Sequence, residues 1–390
     1  MPPSSTQADQ PWNNRGVVDV IKVPTELLPR DGRFGSGPAK IRVEAVQALA
    51  GKGARLLGTS HRQAPVRGLV GAVRAGLADL FAAPAGYQLV LGNGGSTLFW
   101  DVAICSLIER RSSHAAFGEF STKFAAAARR APHLDDPLVA TADPGGVVLP
   151  QVTADADTYA WAQNETSTGA IAPVQRLAGT EGALTLIDGT SGAGGTEVDL
   201  TETDVYYFAP QKSFGSDGGL WLAWCSPAAL ERTERLATTD RWIPDSLSLK
   251  LAYDNSIKNQ TLNTPAIATL FLLLDQVSWL NDSGGLPFAA GRSAESAKIL
   301  YDWADASELA TPFVAVEHRS PVVGTIDFDA SVDAAALAAT LRVNGIVDTE
   351  PYRSLGRNQL RIGMYPTVDP DDVRALTRCI DWVISAQRAR

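Results

Sequence analysis

The sequence predicts an α/β protein: a large domain with a mainly parallel sheet between helices, followed by a smaller C-terminal α+β domain. Three observations predict it. Short apolar runs alternate with helical stretches through the middle of the chain, the pattern left by parallel strands joined through helices. Those runs lack clean polar–apolar alternation, as strands buried on both faces do. After about Gly285 the order changes to longer helices with few strands. A length of 390 residues is more than one small core needs, and 45% apolar with 20% charged residues is ordinary for a globular chain.

Taken in order, residues 1–33 are polar and turn-rich and read as an N-terminal arm. The large domain is expected at 34–285. Its strand candidates are Tyr87–Leu91, Ala115–Phe117, Tyr159–Gln163, Ala183–Asp188, Val205–Ala209 and Leu220–Cys225, with helices at Ser96–Glu109 and Thr122–Arg130 between them. Asp240–Thr264 is long, polar and poorly periodic, and reads as a functional or interface loop. The small domain, 286–390, is expected to hold helices at 286–304, 331–342 and 369–387 and strands at Val322–Phe328 and Leu360–Met364.

Several function classes drop out. A net charge of −9 lacks the basic footprint that nucleic-acid binding needs. No apolar run reaches the roughly 18 residues of a membrane span. Cys105, Cys225 and Cys379 lie far apart without CxxC spacing, so neither a metal site nor a disulfide framework is expected. With no signal-peptide pattern at the N-terminus, cytoplasmic residence is expected.

Three features carry chemistry. Gly92-Asn93-Gly94-Gly95-Ser96-Thr97 follows an apolar strand and opens a helix. Glycines there let an anion approach the backbone, free N–H groups and the helix dipole hold it, and the hydroxyls add donors. By itself the segment is equally an ordinary strand-to-helix turn, and it matches neither GxGxxG nor the P-loop pattern. Asp188 ends the strand ALTLID, at the sheet edge where α/β proteins bind ligands; alone it reads as a turn residue. Lys212, in APQKSFG, follows the apolar strand VYYFA. A lysine drawn out of water has a lowered pKa and becomes a nucleophile toward carbonyl carbon. An anion cradle, an acid and a buried amine on one sheet edge are together the parts that hold pyridoxal phosphate.

The ordered segments FGSGPA (34–39), SHR (60–62), NGGST (93–97), NET (164–166), DGTS (188–191), APQK (209–212), LNTP (262–265), YRSLG (352–356) and LRIGMYP (360–366) cover nearly the whole chain past residue 33. In them the sequence resembles the class V, fold-type I pyridoxal-phosphate aminotransferases. Among these it is similar to the branch that makes phosphoserine from glutamate and 3-phosphohydroxypyruvate, and that often also serves the phosphohydroxythreonine step of pyridoxine synthesis. The resemblance implies a role for each matched residue. Lys212 would carry the cofactor and move the proton. Asp188 would pair with the ring nitrogen, Thr166 would bond the ring oxygen, and Phe120 would stack on the ring. Gly95, Ser96 and Gln211 would hold the cofactor phosphate, joined by Asn263 and Thr264 from a neighbouring subunit of a homodimer. Arg361 would take the substrate α-carboxylate. Ser36, Arg353, and His61 and Arg62 from the other subunit, would complete the substrate pocket. Two positions depart from the family pattern: Ser96 stands for an arginine in the cradle, and Tyr352 for a histidine before Arg353. An alanine– or serine–glyoxylate aminotransferase is the alternative within the family. A desulfurase needs a reactive loop cysteine that the chain lacks. Asp188 and Lys212 together argue against a non-catalytic binding protein, and the missing P-loop lysine argues against a nucleotide enzyme.

Overall fold

The large sheet is assembled mostly from strands that are buried along their whole length. In the computed structural model, which describes residues 21–389, it has seven strands in the order β1-β9-β8-β7-β4-β2-β3. These are β1 Gln88–Asn93, β2 Ser112–Ala116, β3 Leu138–Thr141, β4 Thr158–Ala162, β7 Leu184–Asp188, β8 Val205–Phe208 and β9 Leu220–Cys225. Neighbours pair in parallel except at β9, which is antiparallel to both β8 and β1. Strands β2, β4, β7, β8 and β9 are buried at every residue, which is why their sequences show no alternation. A short antiparallel ribbon, β5 Asn164–Glu165 and β6 Ala170–Ile171, projects beyond β4.

Helices cover both faces. They are α1 Val43–Gly51, α2 Ala64–Leu80, α3 Ser96–Ser106, α4 Glu119–Arg129, α5 Pro227–Ala237, α6 Leu249–Ser256 and α7 Ile267–Asp282. On one face Val73 and Leu77 of α2 and Leu273 and Val277 of α7 pack with Tyr206 and Phe208. On the other, Phe99 and Trp100 of α3, Phe124 of α4 and Leu249 of α6 pack with Leu186 and Tyr207.

The small domain is built on an antiparallel sheet, β10 Ala310–Pro312, β11 Val323–Phe328 and β12 Gln359–Gly363. It packs under α8 Gly285–Asp305, α9 Ala334–Val343 and α10 Pro370–Arg388. Asp333 and Asp369 cap α9 and α10, Asp333 accepting from Ala335 N and Ala336 N and Asp369 from Asp371 N. Helix α8 joins the two cores: Leu286 and Ala289 pack with the large one, Ala297 and Leu300 with the small. Among the described residues no helix is long and apolar enough to cross a membrane.

Three expectations need correction. Asp240–Thr264 is not loop throughout, because Ser248 accepts from Leu251 N and starts α6, whose Ser256 Oγ accepts from Leu91 N of β1. An eight-residue helix is too short to display a clear period. The strand expected at Ala115–Phe117 begins at Ser112, hidden by Ser112, Ser113 and His114, which are polar yet buried. Residues 1–20 of the arm lie outside the described residues; 21–34 are irregular apart from a 3-10 turn at Thr25–Leu27, but they are packed on the small domain and do not project as a free arm. Val23 and Phe34 sit in the small core, and Phe34 O accepts from Gly363 N at 2.7 Å.

Candidate active site

The site forms where β7 and β8 end. Their register sets Asp188 beside Tyr207 on the same face of the sheet. Asp188 Oδ2 accepts from Tyr207 OH at 3.1 Å and from Trp100 Nε1 at 3.4 Å, and Oδ1 accepts from Thr190 N at 2.9 Å. Burial pushes its pKa up, and these bonds oppose the shift. All three donors are neutral, so the buried carboxylate is oriented but its charge is unmatched.

Lys212 follows β8 after Ala209-Pro210-Gln211. Its Nζ donates to Ser36 O at 2.8 Å, and Tyr365 OH donates to the same oxygen at 2.7 Å. Gln211 O accepts from Ala39 N at 2.8 Å. The segment FGSGPA therefore lies directly over the lysine. Gly37 makes the fit possible, since a Cβ there would lie 1.8 Å from Nζ, at a φ of +152° that side chains rarely adopt. Burial, and next Arg361, bring the Lys212 pKa down to about 8, while Asp188 and Glu165 act the other way.

The cradle is the start of α3. Gly94 has φ +111°, Gly95 is the N-cap residue without a side-chain cap, and Ser96 opens the helix. Ser96 Oγ, Thr190 Oγ1 and Arg361 Nε are buried donors with no protein partner. Folded interiors rarely leave such groups unmatched, and an anionic ligand with further acceptors would match them. The residues present thus fit a phosphorylated ring cofactor.

Thr166 lies in the β5–β6 turn; its Oγ1 donates to Ser191 Oγ at 2.8 Å and its carbonyl accepts from Arg361 Nη1 at 3.2 Å. Arg361 reaches across from β12 of the small domain, is largely buried, and lies under the ring of Tyr352 at 5.2 Å. Phe120, in the first turn of α4, packs edge-on against Tyr352 with ring centroids 5.9 Å apart. Asp188, Lys212, Ser36, Gly95, Ser96, Gln211, Thr166, Phe120 and Arg361 therefore converge from both domains. Arg353 is exposed beside Tyr352 and has no polar contact among the described residues. His61, Arg62, Asn263 and Thr264 form a separate group: His61 Nδ1 lies 3.1 Å from Thr264 Oγ1, and Arg62 Nη1 donates to Gln260 Oε1 at 3.4 Å. Thr264 O accepts from Asn93 Nδ2 at 3.2 Å, tying this group to the strand that enters the cradle.

Sequence reasoning missed Trp100, Tyr207, Tyr365, Gly37 and Glu165. Glu165 is fully buried and accepts from Phe120 N, Ser121 N, Ser121 Oγ and Ser167 Oγ at 2.8–3.2 Å. It stands inside the quoted NET segment, where its burial and its partners across the chain leave no local mark.

A buried lysine at the edge of a mainly parallel sheet, with a buried aspartate beside it, is the arrangement of a pyridoxal-phosphate-dependent enzyme, and the family match makes it a transaminase. The chain belongs to the aminotransferase class-V family, whose model matches residues 147–376. Within that family it is similar to the phosphoserine aminotransferases. It is 60% identical to the one from Nocardioides sp. over 94% of this chain and 99% of that one. It is 59% identical to a putative phosphoserine aminotransferase of Mycobacterium leprae over 94% of this chain and 98% of that one. The solved phosphoserine aminotransferase of Cytophaga hutchinsonii has the same fold at 21% identity, with a TM-score of 0.82 over 90% of this chain and 99% of that one.

Proposed function

We propose that this chain transfers the amino group of glutamate to 3-phosphohydroxypyruvate, giving 2-oxoglutarate and phosphoserine for serine biosynthesis, with pyridoxal 5′-phosphate as cofactor. The buried Lys212 amine, held at a lowered pKa with Asp188 oriented nearby, supports the cofactor, and the 60% identity to a phosphoserine aminotransferase over nearly the whole chain supports the substrates. When bound, the cofactor supplies an electron sink and stores the amino group between the two half-reactions. The chain's residues do the rest. Lys212 would hold the cofactor and would move a proton at the substrate Cα, a task suited to an amine whose pKa is near the working pH. Asp188 holds the ring nitrogen in its protonated form. Phe120 covers the ring face, and Thr166 bonds the ring oxygen. Gly95, Ser96 and Gln211 bind the phosphate at the α3 N-terminus.

Arg361 takes the α-carboxylate through its in-plane donors. Ser36 and Arg353, with His61 and Arg62 of a second copy, receive the distal phosphate or the glutamate γ-carboxylate, and Asn263 and Thr264 of that copy reach the cofactor phosphate. We infer a homodimer on this account. We also place the protein in the cytoplasm, where its free Cys105, Cys225 and Cys379 would stay reduced.

The test is spectroscopic. The visible band of the lysine-bound cofactor should bleach on adding glutamate and return on adding 3-phosphohydroxypyruvate. Return with glyoxylate but not with the phosphorylated acid would move the assignment to a glyoxylate aminotransferase. Lys212→Ala should lack the band and turnover; a yellow, active variant would overturn the lysine assignment.

A further inference from the structure

Arg361 poses a mechanical problem. It is a long side chain that starts on β12 in the small domain and must present its fork inside a site built on the large one. A free arginine loses substantial rotamer entropy on being fixed, and a misaligned fork loses the bidentate geometry that makes it useful. The structure fixes it on two sides. Nη1 donates to Thr166 O at 3.2 Å, which holds one edge. The Tyr352 ring lies 5.2 Å from Cζ, which covers one face. Nε remains a buried donor without a partner.

Tyr352 is itself held. Its ring packs against Phe120 at 5.9 Å and 64°. Two residues on, Ser354 Oγ donates to Glu119 Oε2 at 3.1 Å, and Glu119 Oε1 pairs with Lys123 Nζ at 2.7 Å. The segment carrying Tyr352 is thus fastened to the first turns of α4, and the aromatic pair spans from the ring-covering Phe120 to the carboxylate-binding Arg361.

We infer that Tyr352 is a positioning residue for Arg361, and not a ligand of the substrate's distal acid. The chemistry favours this division of labour. An aromatic face attracts a guanidinium without using any of its N–H donors, which lie in the plane and stay free for a carboxylate. A basic side chain at the same place would repel Arg361 whenever it was protonated. The departure at this position therefore exchanges a side chain that can become a cation for a neutral clamp.

This inference rests on the reading of Arg361 given above, and the experiment separates the two. Glutarate, an unreactive dicarboxylate with the carbon skeleton of glutamate, is titrated calorimetrically into the cofactor-loaded enzyme. Five variants are compared with wild type: Arg361→Ala, Tyr352→Phe, Tyr352→Leu, Tyr352→Ala and the double variant Tyr352→Leu/Arg361→Ala. Tyr352→Leu fills the space without a π face, and visible absorbance and thermal midpoint confirm that each variant is folded and loaded. Tyr352→Phe should bind within about twofold of wild type, and Tyr352→Leu and Tyr352→Ala about fivefold to tenfold more weakly. The double variant should bind no more weakly than Arg361→Ala, because the tyrosine acts through the arginine. Equal losses from Tyr352→Leu in the presence and absence of Arg361 would overturn the proposal, as would wild-type binding by Tyr352→Leu. A Tyr352→Phe variant as weak as Tyr352→Leu would make the hydroxyl a ligand and also overturn it. Arg361→Ala with undiminished binding would remove the carboxylate assignment itself, and the positioning role with it.

Discussion

Lys212 is kept reactive by what lies against it. Its amine is removed from water and lies beside Arg361, so it loses its proton at about 8 instead of near the ordinary 10.5. The neutral amine is the form that captures an aldehyde. Apoenzyme should therefore take up pyridoxal phosphate faster as pH rises through about 8 and reach a plateau above it, in stopped-flow absorbance. A rate still climbing toward 10.5 would mean that the lysine is solvated. Gly37 is the geometric counterpart of that environment. In Gly37→Ala the new methyl would occupy the place of Nζ, at 1.8 Å, on a backbone strained for any side chain. The variant should lose most of its bound cofactor on desalting, as measured by visible absorbance per protein, whereas full retention would show that the FGSGPA segment can move aside at little cost.

Helix α4 begins on a carboxylate that it does not own. Glu165 comes from β5 and accepts from the backbone N–H groups of Phe120 and Ser121, the unpaired donors of the helix's first turn. Gly118 lets it approach, since a Cβ there would lie 2.0 Å from Glu165 Cγ. Glu165→Gln keeps the shape but turns one oxygen into a donor facing donors. Leaving buried groups unmatched in this way costs about 1–3 kcal/mol. The thermal midpoint should fall by several degrees, with weaker retention of cofactor under Phe120, and an unchanged midpoint would show that the cap is dispensable. The same elements show what a single sequence discloses. The strands β4, β7, β8 and β9 were legible because an apolar run bounded by turns is a local signal, and Asp188 and Lys212 were legible because they break such runs at one end. The cap was not, because Glu165 meets Phe120 only after folding. Nor was the Asp188–Tyr207 pair, which depends on the register between β7 and β8. Strand β2 was half hidden for a different reason: His114 is buried and neutral, its pKa pushed down to about 3 by desolvation, and its Nε2 lies 2.8 Å from Ser112 Oγ, so a polar stretch serves as a core strand.

At the scale of the whole molecule, the chain carries two groups of site residues, joined through the Asn93–Thr264 hydrogen bond. One gathers around Lys212 between the two domains. In the other, Arg62, Asn263 and Thr264 are exposed and His61 is half-buried, and Leu57 and Ile257, a few residues away in the chain, are exposed as well. Apolar side chains left in water next to substrate-binding types are what a subunit interface with shared sites requires. Under the proposed homodimer, each site takes Lys212 from one copy and Arg62 from the other. Lys212→Ala and Arg62→Ala enzymes would then fail for complementary reasons. Mixed in equal amounts, dissociated in mild denaturant and reassembled, they should recover about a quarter of wild-type activity. The arithmetic is that about half of random dimers are hybrid, and each hybrid keeps one site with both residues intact while the other site has lost both. Each variant reassembled alone should stay at its own low level. If both residues instead served the same copy's site, every hybrid would hold one defect per site, and mixing would recover nothing beyond the average of the two parents. Analytical ultracentrifugation of the same samples shows whether the recovered activity sediments as a dimer, so a failure to reassemble is told apart from a failure of the shared site.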